Sequence, residues 1–124
     1  MRVLVCGSRT WTDVEPIHTV VAGLAARARA TGTEIVLIHG GAPGVDTTAG
    51  DLAIIGDIET IVEPANWQAH GRAAGPIRNQ KMLDEHKPDV VYAFRAEGKS
   101  NGTDDMVRRA RAAGIPTYVI TGGR

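Results

Sequence analysis

The chain has 124 residues, the length of a single domain, and its Lys plus Arg balance its Asp plus Glu at 14 each. Zero net charge gives none of the basic excess that marks tight binding to a phosphate backbone, so nucleic acid is not an expected partner; it also leaves little repulsion against self-association. Cys6 is the one cysteine, so no internal disulfide can form, and the run Val3-Leu4-Val5-Cys6 is too short for a signal peptide or membrane span; the expected location is the cytoplasm, with no membrane partner.

In chain order, Val3–Cys6 reads as a first strand. A helix follows, because Ile17, Val20, Val21, Leu24 and Ala28 recur at i, i+3, i+4, i+7 spacing. Thr12 or Asp13 can cap it, Pro16 suits its first turn and Gly32 can end it. Ile35–Ile38 is a second strand, and a helix runs from about Val45 through Ile55. Ile58–Val62 is a third strand, followed by a helix from about Pro76 to Glu85 with Pro88 just beyond it. Val90–Phe94 is a fourth strand, then a helix from about Thr103 to Ala113 that Gly114 and Pro116 stop, then Thr117–Ile120 as a fifth strand. Most of the strands are continuously apolar rather than alternating, as expected where both sheet faces are covered. The alternation of strand and helix therefore predicts one α/β domain, a three-layer sandwich around a five-stranded, mainly parallel sheet. Ligands of such sheets bind beyond the carboxyl ends of the strands, near the point where strand order reverses.

Four loops at that end carry candidate chemistry. After the first strand, Gly7 permits close approach of a ligand, Ser8 offers a hydroxyl, Arg9 a phosphate-binding fork and Trp11 a ring for stacking; a tight turn with a packing Trp is the competing reading. After the second strand, His39-Gly40-Gly41-Ala42-Pro43-Gly44-Val45-Asp46 places three glycines at a helix entrance, which predicts a phosphate cradle at Gly40, Gly41 and Gly44. Asp46 would either complement the helix dipole or bind a ribose hydroxyl. Arg78 and Asn79 fall in the first turns of the third helix, where a basic residue opposes the dipole and suggests an anion partner; a salt bridge to Asp46 or Asp104 is the structural alternative. Gly102 and Thr103 open the last helix and could meet a second phosphate or a ribose, or simply form its cap. Gly98-Lys99-Ser100 imitates the end of a Walker A loop, but the leading Gly would be Ala93, within a strand. The first strand has no G-x-G-x-x-G after it, and His18, His39, His70 and His86 lack ligand spacing, so neither a dinucleotide cofactor nor a metal is expected.

Three segments in order carry a family likeness: Val3 to Arg9, His39 to Asp46, and Ala74-Gly75-Pro76-Ile77-Arg78-Asn79-Gln80-Lys81-Met82. Together they resemble the YspA-type, YpsA-related branch of the SLOG superfamily. The resemblance implies a Rossmann-like fold, a nucleotide or nucleotide-derived ligand, and a mostly dimeric habit. Relatives include the DNA-processing protein DprA and the cytokinin-activating phosphoribohydrolases. Against the phosphoribohydrolase pattern, Arg78 matches the Arg, Asn79 replaces a Lys, Gly102 and Thr103 match the Gly-Thr, and Met106 stands at the Glu position. Methionine cannot stabilise an oxocarbenium ion or position water, which counts against hydrolysis; Asp104 or Asp105 is the available substitute, from elsewhere on the helix turn, and Arg78 and Asp104 are the candidate catalytic residues.

The function expected first is therefore a module that senses or sequesters a nucleotide-derived molecule, using Gly7, Ser8, Arg9, Trp11, His39, Gly40, Gly41, Ala42, Gly44, Asp46, Arg78, Asn79, Gly102 and Thr103. The alternatives are N-glycosidic hydrolysis of a nucleoside 5′-monophosphate and a DprA-like nucleic-acid adaptor. Self-association into a homodimer or larger species is also expected, in part from Met82 and Leu83 on the third helix.

Overall fold

A computed structural model of the protein describes residues 1–122. The elements run β1 (Arg2–Gly7), α1 (Val14–Thr31), β2 (Val36–His39), α2 (Val45–Ile55), β3 (Glu59–Val62), α3 (Trp67–His70), a 3-10 turn (Gly71–Ala73), α4 (Ala74–His86), β4 (Val90–Ala96), α5 (Asn101–Ala112) and β5 (Thr117–Gly122). All strand pairs are parallel, in the order β3-β2-β1-β4-β5. The predicted three-layer sandwich is thus the observed one. The single turn of α3 and the 3-10 turn after it are additions that the apolar periodicity did not signal.

The alternation of β1 explains the two cores. Val3 and Val5 face a cluster that includes Ile17, Val21, Ala49 and Phe94, on the side of α1 and α2. Leu4 faces the other way, into a cluster with Met82, Leu83, Met106 and Ala110 from α4 and α5. With period-2 side chains and helices over both faces, the central strand has no solvent side, and its residues 3 to 5 are at most 1% exposed. α1 is bounded as the sequence implies. Asp13 accepts from the Glu15 amide at its start, and Gly32, in the left-handed region at φ 69°, returns its N–H to Ala28 at its end.

Two expectations change here. Met82 and Leu83 are 2% and 6% exposed and fill the second core, so they offer no surface for association. Trp11 is 4% exposed and packs edge-on against Phe94 with ring centroids 5.5 Å apart, while its indole N–H donates to the Asp13 carbonyl. It is a core residue and presents no face to a ligand. Among the described residues no helix is long and apolar enough to cross a membrane.

The strand order decides where a ligand can sit. From β1 the chain steps outward to β2 and β3, then returns to the other side of β1 to lay down β4 and β5. The connections after β1 and β4 therefore leave the sheet in different directions and open a crevice between them.

Candidate functional site

A cavity of about 410 Å³ lies at this crevice, toward the small end of the range of small-molecule sites. The loop after β1 contributes Gly7, Ser8, Arg9 and Thr10, and the loop after β4 contributes Lys99 to Thr103. Trp67, Arg72, Gly75 and Pro76 come from the α3–α4 region, Arg78 and Asn79 from α4, and Ala42 and Asp46 from the entrance to α2.

Ser8 joins the two central loops. Its hydroxyl accepts from the Ala96 amide at 2.9 Å and shares a 2.6 Å hydrogen bond with the Ser100 hydroxyl, while its own amide donates to the Phe94 carbonyl at 2.9 Å. With the Ser100 hydroxyl so used, no side chain caps the first turn of α5, which begins at Asn101, Gly102 and Thr103. α4 likewise begins without a side-chain cap, beside Gly75 and Pro76. The start of α5, with orphan amides and partial positive charge, thus enters the cavity, whereas the start of α4 continues the 3-10 turn, its Ala74 amide donating to the Gly71 carbonyl.

The glycine-rich loop does something different from what its sequence predicts. The Gly40 and Ala42 amides donate to Asp46 Oδ2 at 3.0 and 3.2 Å, and the Gly41 amide donates to His39 Nδ1 at 3.0 Å. A phosphate cradle at Gly40, Gly41 and Gly44 is therefore not open, because the chain's own acceptors occupy the amides of Gly40, Gly41 and Ala42, and none of the three glycines lines the cavity. Gly40 and Gly44 have other reasons to be there. A Cβ on Gly40 would lie 2.6 Å from Arg78 Cζ, so glycine lets the guanidinium lie across the loop. Gly44 enters α2 at φ 93°, a conformation that side chains resist. His39 is buried below the loop and packs against Gly50, outside the cavity; burial holds its imidazole below the usual pKa, in keeping with the acceptor role of Nδ1.

Arg78 donates from Nη1 to the Gly40 carbonyl at 2.7 Å and from Nε to Asn79 Oδ1 at 3.1 Å. It makes no salt bridge to Asp46 or Asp104, so the structural alternative weighed for it does not hold. Asn79 in turn donates to the Gly102 carbonyl and to Asp105 Oδ2, at 3.2 and 3.0 Å, tying α4 to the start of α5. Arg9, Arg72, Arg78 and Lys99 all line the cavity, and among the described residues none is paired with a carboxylate.

The cavity carboxylates are Asp46 and Asp105. Asp105 is neutralised by Arg108 at 2.7 Å and Arg109 at 2.8 Å, in addition to Asn79. Asp46 is pushed up to about 6 by burial, against the two amides and the nearby Arg78 and Arg9 charges that favour its ionised form. Its second oxygen, Oδ1, accepts no hydrogen bond from the described residues. Asp104, a candidate catalytic group, lies outside the cavity in a two-point ion pair with Arg95 at 2.7 and 3.0 Å, which holds its carboxyl below the ordinary range. Met106 is fully buried in the second core.

Gly7, Ser8, Arg9, Ala42, Asp46, Arg78, Asn79, Gly102 and Thr103 are brought together at the cavity; Trp11, His39, Gly40, Gly41 and Gly44 are not. Sequence reasoning missed Trp67, Arg72 and Lys99, and considered Asp105 only as a substitute for the absent Glu. The available signal for the first two was Asn66, a helix cap with no apolar run behind it, whose side chain accepts from the Ala69 amide.

Comparison with known proteins adds a family. The model described as "YspA, cpYpsA-related SLOG family" matches residues 1–70, which carry β1, the glycine-rich loop and Asp46. The chain is 37% identical over 121 residues to the Gene 61 protein of Mycobacterium phage D29, covering 93% of this chain and 92% of that protein. Among solved structures, the C-terminal domain of the PF1911 hydrogenase from Pyrococcus furiosus superposes with a TM-score of 0.51 at 13% identity, over 95% of this chain and 89% of that one. That likeness is one of fold.

Proposed function

Because the chain belongs to the YspA, cpYpsA-related SLOG family, we propose that it binds a nucleotide or nucleotide-derived small molecule in this cavity, to sense or sequester it. The carrying observation is the convergence of Arg9, Arg72, Arg78 and Lys99, without carboxylate partners among the described residues, with the uncapped start of α5. An anionic group is the ligand chemistry that would satisfy both sets of donors. Asp46 Oδ1 is an acceptor suited to a ribose hydroxyl. The phosphate site in this reading is the α5 entrance, at Gly102 and Thr103, rather than the glycine-rich loop.

Binding without cleavage is the better-supported form of the proposal. Both cavity carboxylates serve the fold, Asp46 by holding the glycine-rich loop and Asp105 by joining α4 to α5, and Asp104 is turned to Arg95. Incubation with nucleoside 5′-monophosphates should therefore release no free base.

Arg78 gives the direct test. Its planar fork is held by Gly40 and Asn79 with donors to spare, and lysine cannot reproduce that geometry. Arg78→Lys is expected to weaken the best-binding nucleotide by about tenfold or more, read by calorimetric titration, with the fold retained. Equal affinities would remove Arg78 from the site, and no binding of any nucleotide to the wild type would overturn the proposal.

A further inference from the structure

We infer that Trp67 is the platform on which the base of the ligand stacks, so that the site takes a whole nucleotide rather than a sugar phosphate; this rests on the function proposed above. Trp67 is 51% exposed, yet it lines the cavity, the one aromatic side chain among the described residues that does. An indole with that much surface left in water serves neither core. One edge of its ring approaches Gly75, where a Cβ would sit 3.7 Å from Cη2. Over its face lies the Arg9 guanidinium, 5.9 Å from the ring centroid, at the outer limit of a cation–π contact. A base is a better partner for that face than a distant cation, because it is flat, apolar on both sides and can lie at van der Waals distance. Displaced from the indole, Arg9 is left with the phosphate as its partner. One ligand then satisfies both residues, through its base at Trp67 and its anion at Arg9.

The position in the chain supports the same division of labour. Trp67 and Arg72 enter the cavity from the connection after β3, whereas Lys99, Gly102 and Thr103 enter from the connection after β4. A ligand with an aromatic end and an anionic end can meet Trp67 and the α5 entrance together; inorganic phosphate or a sugar phosphate leaves Trp67 without a partner.

The two tryptophans make the inference measurable. Trp11 is buried against Phe94, so a ligand-dependent change in indole emission reports Trp67. The protein is titrated with the common nucleoside 5′-monophosphates in turn and with ribose 5-phosphate, following emission and heat. The nucleotide that binds best should quench emission, and ribose 5-phosphate should bind more weakly and leave emission unchanged. Trp67→Ala should weaken that nucleotide by about tenfold or more while changing ribose 5-phosphate by less than twofold, and Trp67→Phe, which keeps a ring, should recover most of the loss. Wild type that binds ribose 5-phosphate as tightly as any nucleotide, or a Trp67→Ala variant that loses both ligands equally or neither, overturns the platform and leaves the anion site standing. Failure of every one of these ligands to bind overturns both.

Discussion

Gly7→Ala is expected to destabilise the fold by about 3 kcal/mol, lowering the thermal midpoint by roughly 10 °C. Gly7 ends β1, paired with Phe94 of β4, at the place where α2 enters against the sheet. A Cβ there would lie 2.6 Å from Val45 Cβ and 2.8 Å from the Phe94 carbonyl oxygen. Neither neighbour can give way easily. Val45 is 1% exposed as the first residue of α2, and the Phe94 carbonyl is held by the Ser8 amide. Overpacking against backbone on one side and a helix start on the other leaves no soft direction. Gly23→Ala is the matched control. Gly23 lies within α1 with nothing within 4 Å of an added Cβ, so its replacement should raise stability by up to about 1 kcal/mol through helix propensity. Thermal denaturation of the two variants beside the wild type checks both signs; an unperturbed Gly7→Ala protein would mean that α2 does not press on β1 as described.

The same contrast explains what was legible in the sequence. Elements set by local chemistry stood out: the apolar face of α1, its Asp13 and Gly32 boundaries, and five β-branched runs separated by helical spacing. The position of the site followed from alternating strands and helices alone, since a parallel sheet offers its crevice at one end. The internal wiring of the site did not follow, because it depends on partners far apart in the chain. Arg78 crosses Gly40, which is 38 residues away, and Ser8 meets Ser100, which is 92 residues away. A glycine-rich turn before a helix reads as an anion cradle whether its amides face a ligand or a neighbouring carboxylate. Asp46 closes that loop from a separation of six residues or fewer, with spacing that also suits a dipole-complementing acid. Trp11 and Trp67 were exchanged in importance for a related reason. Trp11 sits in a motif-bearing loop but falls opposite Phe94 in the folded chain, whereas Trp67 sits in a polar stretch without periodicity and is left at the cavity.

Asp46 should make the fold less stable as pH rises, and Asp46→Asn should remove that dependence. Burial pushes the carboxyl up to about 6, from an ordinary value of 3.8. A folded-state pKa above the unfolded one means that the protonated form is the one the fold favours. The favourable contribution is complete below pH 3.8 and is lost as pH rises through about 6, by on the order of 3 kcal/mol. Asparagine keeps an oxygen for the Gly40 and Ala42 amides and has no charge to desolvate, so wild type should lose stability relative to Asp46→Asn between pH 4 and pH 7. Asp46→Ala acts by another route. It leaves two amides of the glycine-rich loop without an acceptor, each costing about 1–3 kcal/mol where water does not replace it, at every pH. Urea unfolding of the three proteins at several pH values separates the two effects. The Ala variant should lie below the Asn variant by a constant amount, while wild type should converge on or cross the Asn curve as pH increases. A wild type that instead gains on the Asn variant with rising pH would show that the amides and the Arg78 and Arg9 charges outweigh burial, and that Asp46 is held as a carboxylate.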